Sequence, residues 1–219
     1  MLRSVRRLAL PLLVVAFART AIADTSTKTE TSTASTPPHL AQAFIQYGLA
    51  FTGEFVVAPG PICNFAGAPA CILGTGGGLT VRVGRRLRGP FYVGAAYEFA
   101  KMESNQLYRL GILQQGRAEA RYYFFTGRST EPYVAATVGG AAYGNIWGAD
   151  TGGPLFGATV GTEFQIATTL VLGIALSYRA IFFARFTDSA GTTRPPDGIG
   201  PGFSHLIGLD LIVELRDPF

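Results

Sequence analysis

A chain of 219 residues, 48% hydrophobic and only 15% charged, is long enough for one domain and needs no second. Its net charge of +4 and pI near 9.3 come almost wholly from arginine, Lys28 and Lys101 being the only lysines; with no basic run and no interleaved aromatics, a nucleic-acid platform is excluded. Beyond the N-terminus no uncharged apolar run could cross a bilayer as a helix, since the nearest, 167–184, carries Arg179 well inside it and is diluted by Gly173 and Ser177.

Residues 1–23 have the three parts of a secretory signal: Arg3, Arg6 and Arg7, an apolar stretch 8–18, and Ala21-Ile22-Ala23 as the cleavage site. The apolar stretch is short for an anchor, so cleavage is expected and the mature chain begins at Asp24. Residues 24–42 are rich in Thr and Ser, carry Pro37 and Pro38 and almost lack large apolar residues, which predicts a disordered periplasmic lead-in. From Ala43 the texture changes to apolar/polar alternation, the period of a strand with one face in each environment.

Eight runs follow within the domain 43–219: 43–57, 74–87, 91–102, 108–125, 132–146, 155–167, 170–185 and 203–216. Each exceeds the nine to eleven residues, roughly, of a tilted membrane-crossing strand, and an even number suits a closed antiparallel barrel. The connections alternate in length. After odd runs come 58–73, 103–107, 147–154 and 186–202, and after even runs only 88–90, 126–131 and 168–169. In a membrane barrel the long loops are external, and with an even strand count both termini are periplasmic. Glycine-rich 74–78 is followed by neither a helix nor a phosphate-binding lysine, so it reads as a strand entry. Cys63 and Cys71, the only cysteines, lie together in the first long loop and are expected to close a disulfide after export; a metal site would need further ligands nearby.

Parity within the runs separates two faces. Ile45, Tyr47, Leu49, Phe51 and Phe55 alternate with Gln46, Gly48, Ala50, Thr52 and Glu54, and the last run sets Ile207, Leu209, Leu211, Val213 and Leu215 against Gly208, Asp210 and Glu214. A soluble barrel would turn its polar face to water, but such faces carry many long charged side chains. Here the polar face is mostly Gly, Ala, Thr and Ser, which suit a crowded narrow interior. The expected fold is therefore an all-β, eight-stranded antiparallel up-and-down transmembrane β-barrel. Its lumen is expected to hold Glu54, Arg82, Glu98, Arg117, Glu119, Arg121, Glu163, Arg179, Asp210 and Glu214 as a paired charge network. Aromatics gather at the strand ends (Phe91, Tyr92, Tyr122 to Phe125, Tyr143, Trp147, Phe182, Phe183), where two interfacial girdles are expected.

In pattern, 43–219 resembles the small outer-membrane barrels of OmpA, OmpX and OmpW type. The final strand, with Gly208, Leu209, Leu211, Val213 and Leu215 before C-terminal Phe219, is similar to the C-terminal sorting signal read by the barrel-assembly machinery. The resemblance implies insertion into the Gram-negative outer membrane, with its lipid and lipopolysaccharide as surroundings. Pro218 departs from the pattern and is expected to end pairing before the terminus.

Catalytic groups are sparse. Only His39 and His205 exist as histidines, and His39 falls in the lead-in. The segments 188–191 and 196–199 resemble the corresponding region of lipid A deacylases of PagL type, but 184–188 offers no histidine there, and adjacent Ser204 and His205 should point to opposite faces. The expectation is a non-enzymatic barrel, without cofactor, with a structural or surface-interaction role and a plugged lumen. A channel for small or hydrophobic solutes of OmpW type and a lipid A-modifying enzyme of PagL type are the alternatives.

Overall fold

Alternation of large apolar with small or polar residues makes each run a strand, and a sheet of such strands escapes unpaired edges by closing on itself. The computed structural model describes residues 43–65, 67, 70–188 and 190–218. The signal segment, the lead-in and Phe219 lie outside the described residues. The strands are β1 (Phe44–Ala58), β2 (Gly76–Arg86), β3 (Phe91–Met102), β4 (Gly111–Tyr123), β5 (Thr130–Asn145), β6 (Thr151–Gln165), β7 (Leu170–Phe183), β8 (Phe186–Thr187), β9 (Thr193–Arg194) and β10 (Gly202–Pro218). Eight of them form a closed antiparallel barrel in the order β1-β10-β7-β6-β5-β4-β3-β2, so first and last strands pair, Phe51 opposite Leu211 and Thr52 opposite Asp210.

Several boundaries differ from the sequence reading. β4 starts at Gly111 rather than 108, because Asn105 and Gln106 turn the chain at positive φ and Tyr108 folds inward. β6 starts at Thr151 rather than 155: Gly152, Gly153 and Pro154 read as loop signals, yet they lie opposite Ala142, Ala141 and Gly140. β5 starts at Thr130, which takes Glu131 out of a turn and into the wall. The last ladder runs as far as Pro218, opposite Phe44, where a missing N–H costs little; Phe219, before which pairing is expected to end, lies outside the described residues. Within the last long loop β8 and β9 form an unforeseen hairpin, shaped by Asp188, whose Oδ1 accepts from the N–H groups of Ala190 (3.0 Å) and Thr192 (2.9 Å).

The barrel has a long-loop end and a short-turn end. At the first, Ile62, Ile72 and Leu73 of the first long loop enter the mouth and pack on Met102, Leu113, Tyr143, Leu155, Ile181, Phe183 and Leu206. The Cys63–Cys71 disulfide closes this loop. At the second end the inner wall is tyrosine-rich, with Tyr92, Tyr123 and Tyr133 packed with Ala50, Ala175 and Ile212. Outward-facing Leu, Val, Ile, Phe and Tyr residues remain exposed on all eight barrel strands.

Candidate functional site

Because side chains alternate across a strand, every second residue of the barrel wall enters the lumen. The lumen is where this chain concentrates polar chemistry. All ten charged residues singled out above, Glu54, Arg82, Glu98, Arg117, Glu119, Arg121, Glu163, Arg179, Asp210 and Glu214, are buried there, and Arg86, Glu131 and Arg216 join them.

These groups form one alternating chain. Asp210 lies between Arg82 (2.8 Å) and Arg179 (3.8 Å); Glu98 between Arg179 and Arg117 (2.8 Å each); Glu119 between Arg117 (3.4 Å) and Arg121 (3.1 Å). Glu163 continues it between Arg121 (2.8 Å) and Arg216 (2.7 Å), and Glu131 ends it between Arg216 (3.2 Å) and Arg86 (3.0 Å). Glu54 branches from Arg179 and Glu214 from Arg121 (3.2 Å). Six arginines and seven carboxylates thus sum to a formal charge of −1. Near-neutrality matters because an isolated ion at low dielectric is far costlier than a paired one.

Neutral side chains complete the network. Gln115 Nε2 donates to Glu54 (2.9 Å) and Glu98 (3.2 Å), Thr52 donates to Asp210 (2.7 Å), and Tyr123 donates to Glu163 (2.6 Å). Gln46 Nε2 bridges Glu163 and Glu214. Arginine faces are covered by rings, Arg121 over Tyr92 at 4.4 Å and Arg86 over Tyr123 at 3.5 Å. Sequence reasoning missed Arg86, Glu131 and Arg216, although parity held the signal: Arg86 lies four residues after Arg82, Arg216 two after Glu214, and Glu131 two before buried Tyr133.

Over the long-loop end sits a second, separate polar cluster. Arg194 is fully buried; its Nε donates to Asp188 (2.7 Å), Nη1 to the Ile62 carbonyl (3.1 Å) and Nη2 to the Ala70 carbonyl (3.4 Å). The last loop is thereby tied to the disulfide loop. Tyr143 donates to the Ile72 carbonyl, and burial pushes the hydroxyl of loop residue Tyr108 above its ordinary pKa.

The Ser204–His205 pair does not come together. Ser204 is buried and donates to the Pro59 carbonyl (2.6 Å), whereas His205 points outward, its Nδ1 2.6 Å from the Tyr178 hydroxyl. Of the proposed sorting residues, Leu211, Val213 and Leu215 face outward and Gly208 faces inward, where Ser177 and Arg179 leave no room for a Cβ. Outward aromatics pair at both ends: Phe91–Tyr122 and Tyr122–Phe124 at the short turns, Phe99–Trp147 and Phe182–Phe203 at the long loops. Tyr92, Tyr143 and Phe183 from the same clusters instead face inward and are buried.

No protein-family model matches the sequence, and no curated protein does. Solved structures match in fold. The outer membrane protein OprG from Pseudomonas aeruginosa is similar with a TM-score of 0.50 at 12% identity, over 82% of this chain and 97% of that one. Neisserial surface protein A matches at 0.45 and 16% identity, over 81% and 97%, and AlkL, solved in lipid bilayers, at 0.44 and 14%, over 88% and 98%. The chain has the closed eight-stranded antiparallel architecture that small outer-membrane barrels adopt.

Proposed function

We propose that this chain is an integral protein of the Gram-negative outer membrane, a closed, non-enzymatic barrel that presents its long loops outside and keeps both termini in the periplasm. The observation that carries the reading is the inversion of polarity: an apolar, solvent-exposed outer band surrounds a lumen in which thirteen charges are paired. An exposed band of this extent suits lipid. A lumen packed with ion pairs under an apolar plug supports a structural or surface-interaction role rather than passage of solute. The final strand, with Leu211, Val213 and Leu215 outward, serves in this reading as the segment that the assembly machinery engages. The test is planar-bilayer recording with the purified protein: no stable conductance steps are expected, and reproducible open steps would overturn the plugged lumen. Lipid A mass spectra from cells with and without the protein are expected to be identical.

A further inference from the structure

Among the described residues, the lysines and arginines of the long-loop end are Lys101, Arg109, Arg185 and Arg194. Arg194 is paired with Asp188, and Arg185 with Asp197 at 2.5 Å. Lys101 and Arg109 take part in none of the ion pairs among the described residues. Both line the same open cleft of about 190 Å³, together with Glu103, Ser104, Gln106 and Tyr108.

The cleft's position identifies what could fill it. Lys101 is outward on β3, two residues beyond Phe99 on the same face. On Phe99 rests Trp147, ring centroids 5.4 Å apart and Trp147 77% exposed. From the apolar band toward the loops, one therefore meets Phe99 and Trp147, then an ammonium, then a guanidinium. Aromatic girdles mark the depth at which acyl chains give way to headgroups. In the outer-membrane reading, two cations just above such a girdle, in no ion pair among the described residues although Glu103 shares their cleft, stand at the depth of lipid phosphates.

The cleft is also shaped in advance. Asn105 and Gln106 hold φ values of 51° and 64°, sparsely populated for non-glycine residues. Asn105 Nδ2 donates to the Cys71 carbonyl at 2.6 Å, pinning this loop to the disulfide loop, and Ser104 Oγ holds the Tyr108 N–H at 3.3 Å. Glu103 is turned back on its own loop, its Oε1 accepting from the Asn105 N–H at 3.3 Å.

We infer that Lys101 and Arg109 form a binding site on the outer wall for a lipid phosphate, that of the phosphorylated glycolipid, lipid A, in the leaflet meeting the long loops. Arginine offers a fork of donors to phosphate oxygens and lysine a mobile point charge, while Phe99 and Trp147 lie against the glycolipid's apolar part. The inference rests on the outer-membrane reading above.

Trp147, the only tryptophan, reports on the site directly. The folded protein in neutral detergent is titrated with bisphosphorylated lipid A, with its dephosphorylated form and with inorganic phosphate, following Trp147 emission. The same titrations are made on K101S/R109S and on R88S/R128S, which removes two exposed arginines at the opposite end. Saturable binding of bisphosphorylated lipid A is expected, at least tenfold weaker in K101S/R109S and unchanged in R88S/R128S, with little response to the dephosphorylated form. Equal affinity in K101S/R109S, an equal loss in R88S/R128S, or indifference to the phosphates would overturn the site; the full shift with inorganic phosphate alone would overturn the lipid assignment. Heat-shifted gel migration after refolding into vesicles keeps the two readings apart. A chain that never acquires the shifted form contradicts the membrane reading, whereas an inserted barrel that ignores lipid A sinks this inference alone.

Discussion

Arg121 on β4 and Glu163 on β6, separated by 42 residues and by the whole of β5, meet at 2.8 Å inside the lumen. Arg121 also reaches Glu119 at 3.1 Å and Glu214 at 3.2 Å, so one guanidinium compensates three carboxylates. Arg121→Ala is expected to destabilise the barrel by about 3–5 kcal/mol, the usual cost of leaving buried charge unpaired. Urea unfolding in lipid vesicles measures it. Glu163→Gln should cost less, because Arg121 keeps two carboxylates and Arg216 keeps Glu131. Unchanged stability in Arg121→Ala would contradict a network acting as one unit.

The outer face makes a different prediction. Leu211 is 54% exposed and lies opposite Phe51, itself 64% exposed. In the outer-membrane reading, Leu211→Arg would place a charge in hydrocarbon, with an expected loss of about 2–4 kcal/mol near the midplane of the bilayer. The same vesicle experiment reads it. Tolerance of this substitution, together with tolerance of Arg121→Ala, would require the inside and outside assignments to be exchanged.

Glycine serves close packing at one inner position that can be tested alone. Gly84 and Gly94 face each other on β2 and β3, and the Tyr92 ring lies over both, so a Cβ at either would collide with its hydroxyl end. Gly94→Ala is expected to displace Tyr92 from Arg121 and to cost about 1–3 kcal/mol, the range for overpacking. Near-UV circular dichroism should change with it. Gly53→Ala, where a Cβ meets nothing closer than 3.5 Å, should leave both measurements nearly unaltered.

Among the fastenings of the loop that caps the long-loop end, two can be removed separately: the Cys63–Cys71 disulfide and the bonds from Arg194 to the carbonyls of Ile62 and Ala70. Arg194→Ala leaves the buried Asp188 carboxylate without its cation, held among the described residues only by the N–H groups of Ala190 and Thr192. Faster proteolysis within 59–75 and 184–201 is expected, with heat-shifted migration of the barrel retained. Reduction of the disulfide should act in the same direction, and the combined effect should fall short of the sum, since both restrain one segment. Additive effects would show that the two fastenings are independent.

Much of this architecture is written locally. A two-residue period tells which side chains share a face, so inward Glu98, Arg117 and Arg121 and outward Leu211 and Val213 are readable before any partner is known. Alternating connection lengths locate the strands, and two cysteines within one loop identify their own partner. Boundaries were less legible. Gly152, Gly153 and Pro154 read as loop yet pair in β6, and the misplaced start of β5 hid Glu131.

What the tertiary structure alone decided is who meets whom. The chain of pairs from Arg82 through Arg121 to Arg86 joins residues on β2, β3, β4, β5, β6, β7 and β10, many of them not neighbours in the sheet. Their heights in the lumen follow from the stagger accumulated as the barrel closes, a property of all the strands together. The entry of Ile62, Ile72 and Leu73 into the mouth and the capture of their loop by Arg194 are equally non-local: they depend on the volume left between β3, β4, β5, β6, β7 and β10, which no stretch of sequence encodes by itself.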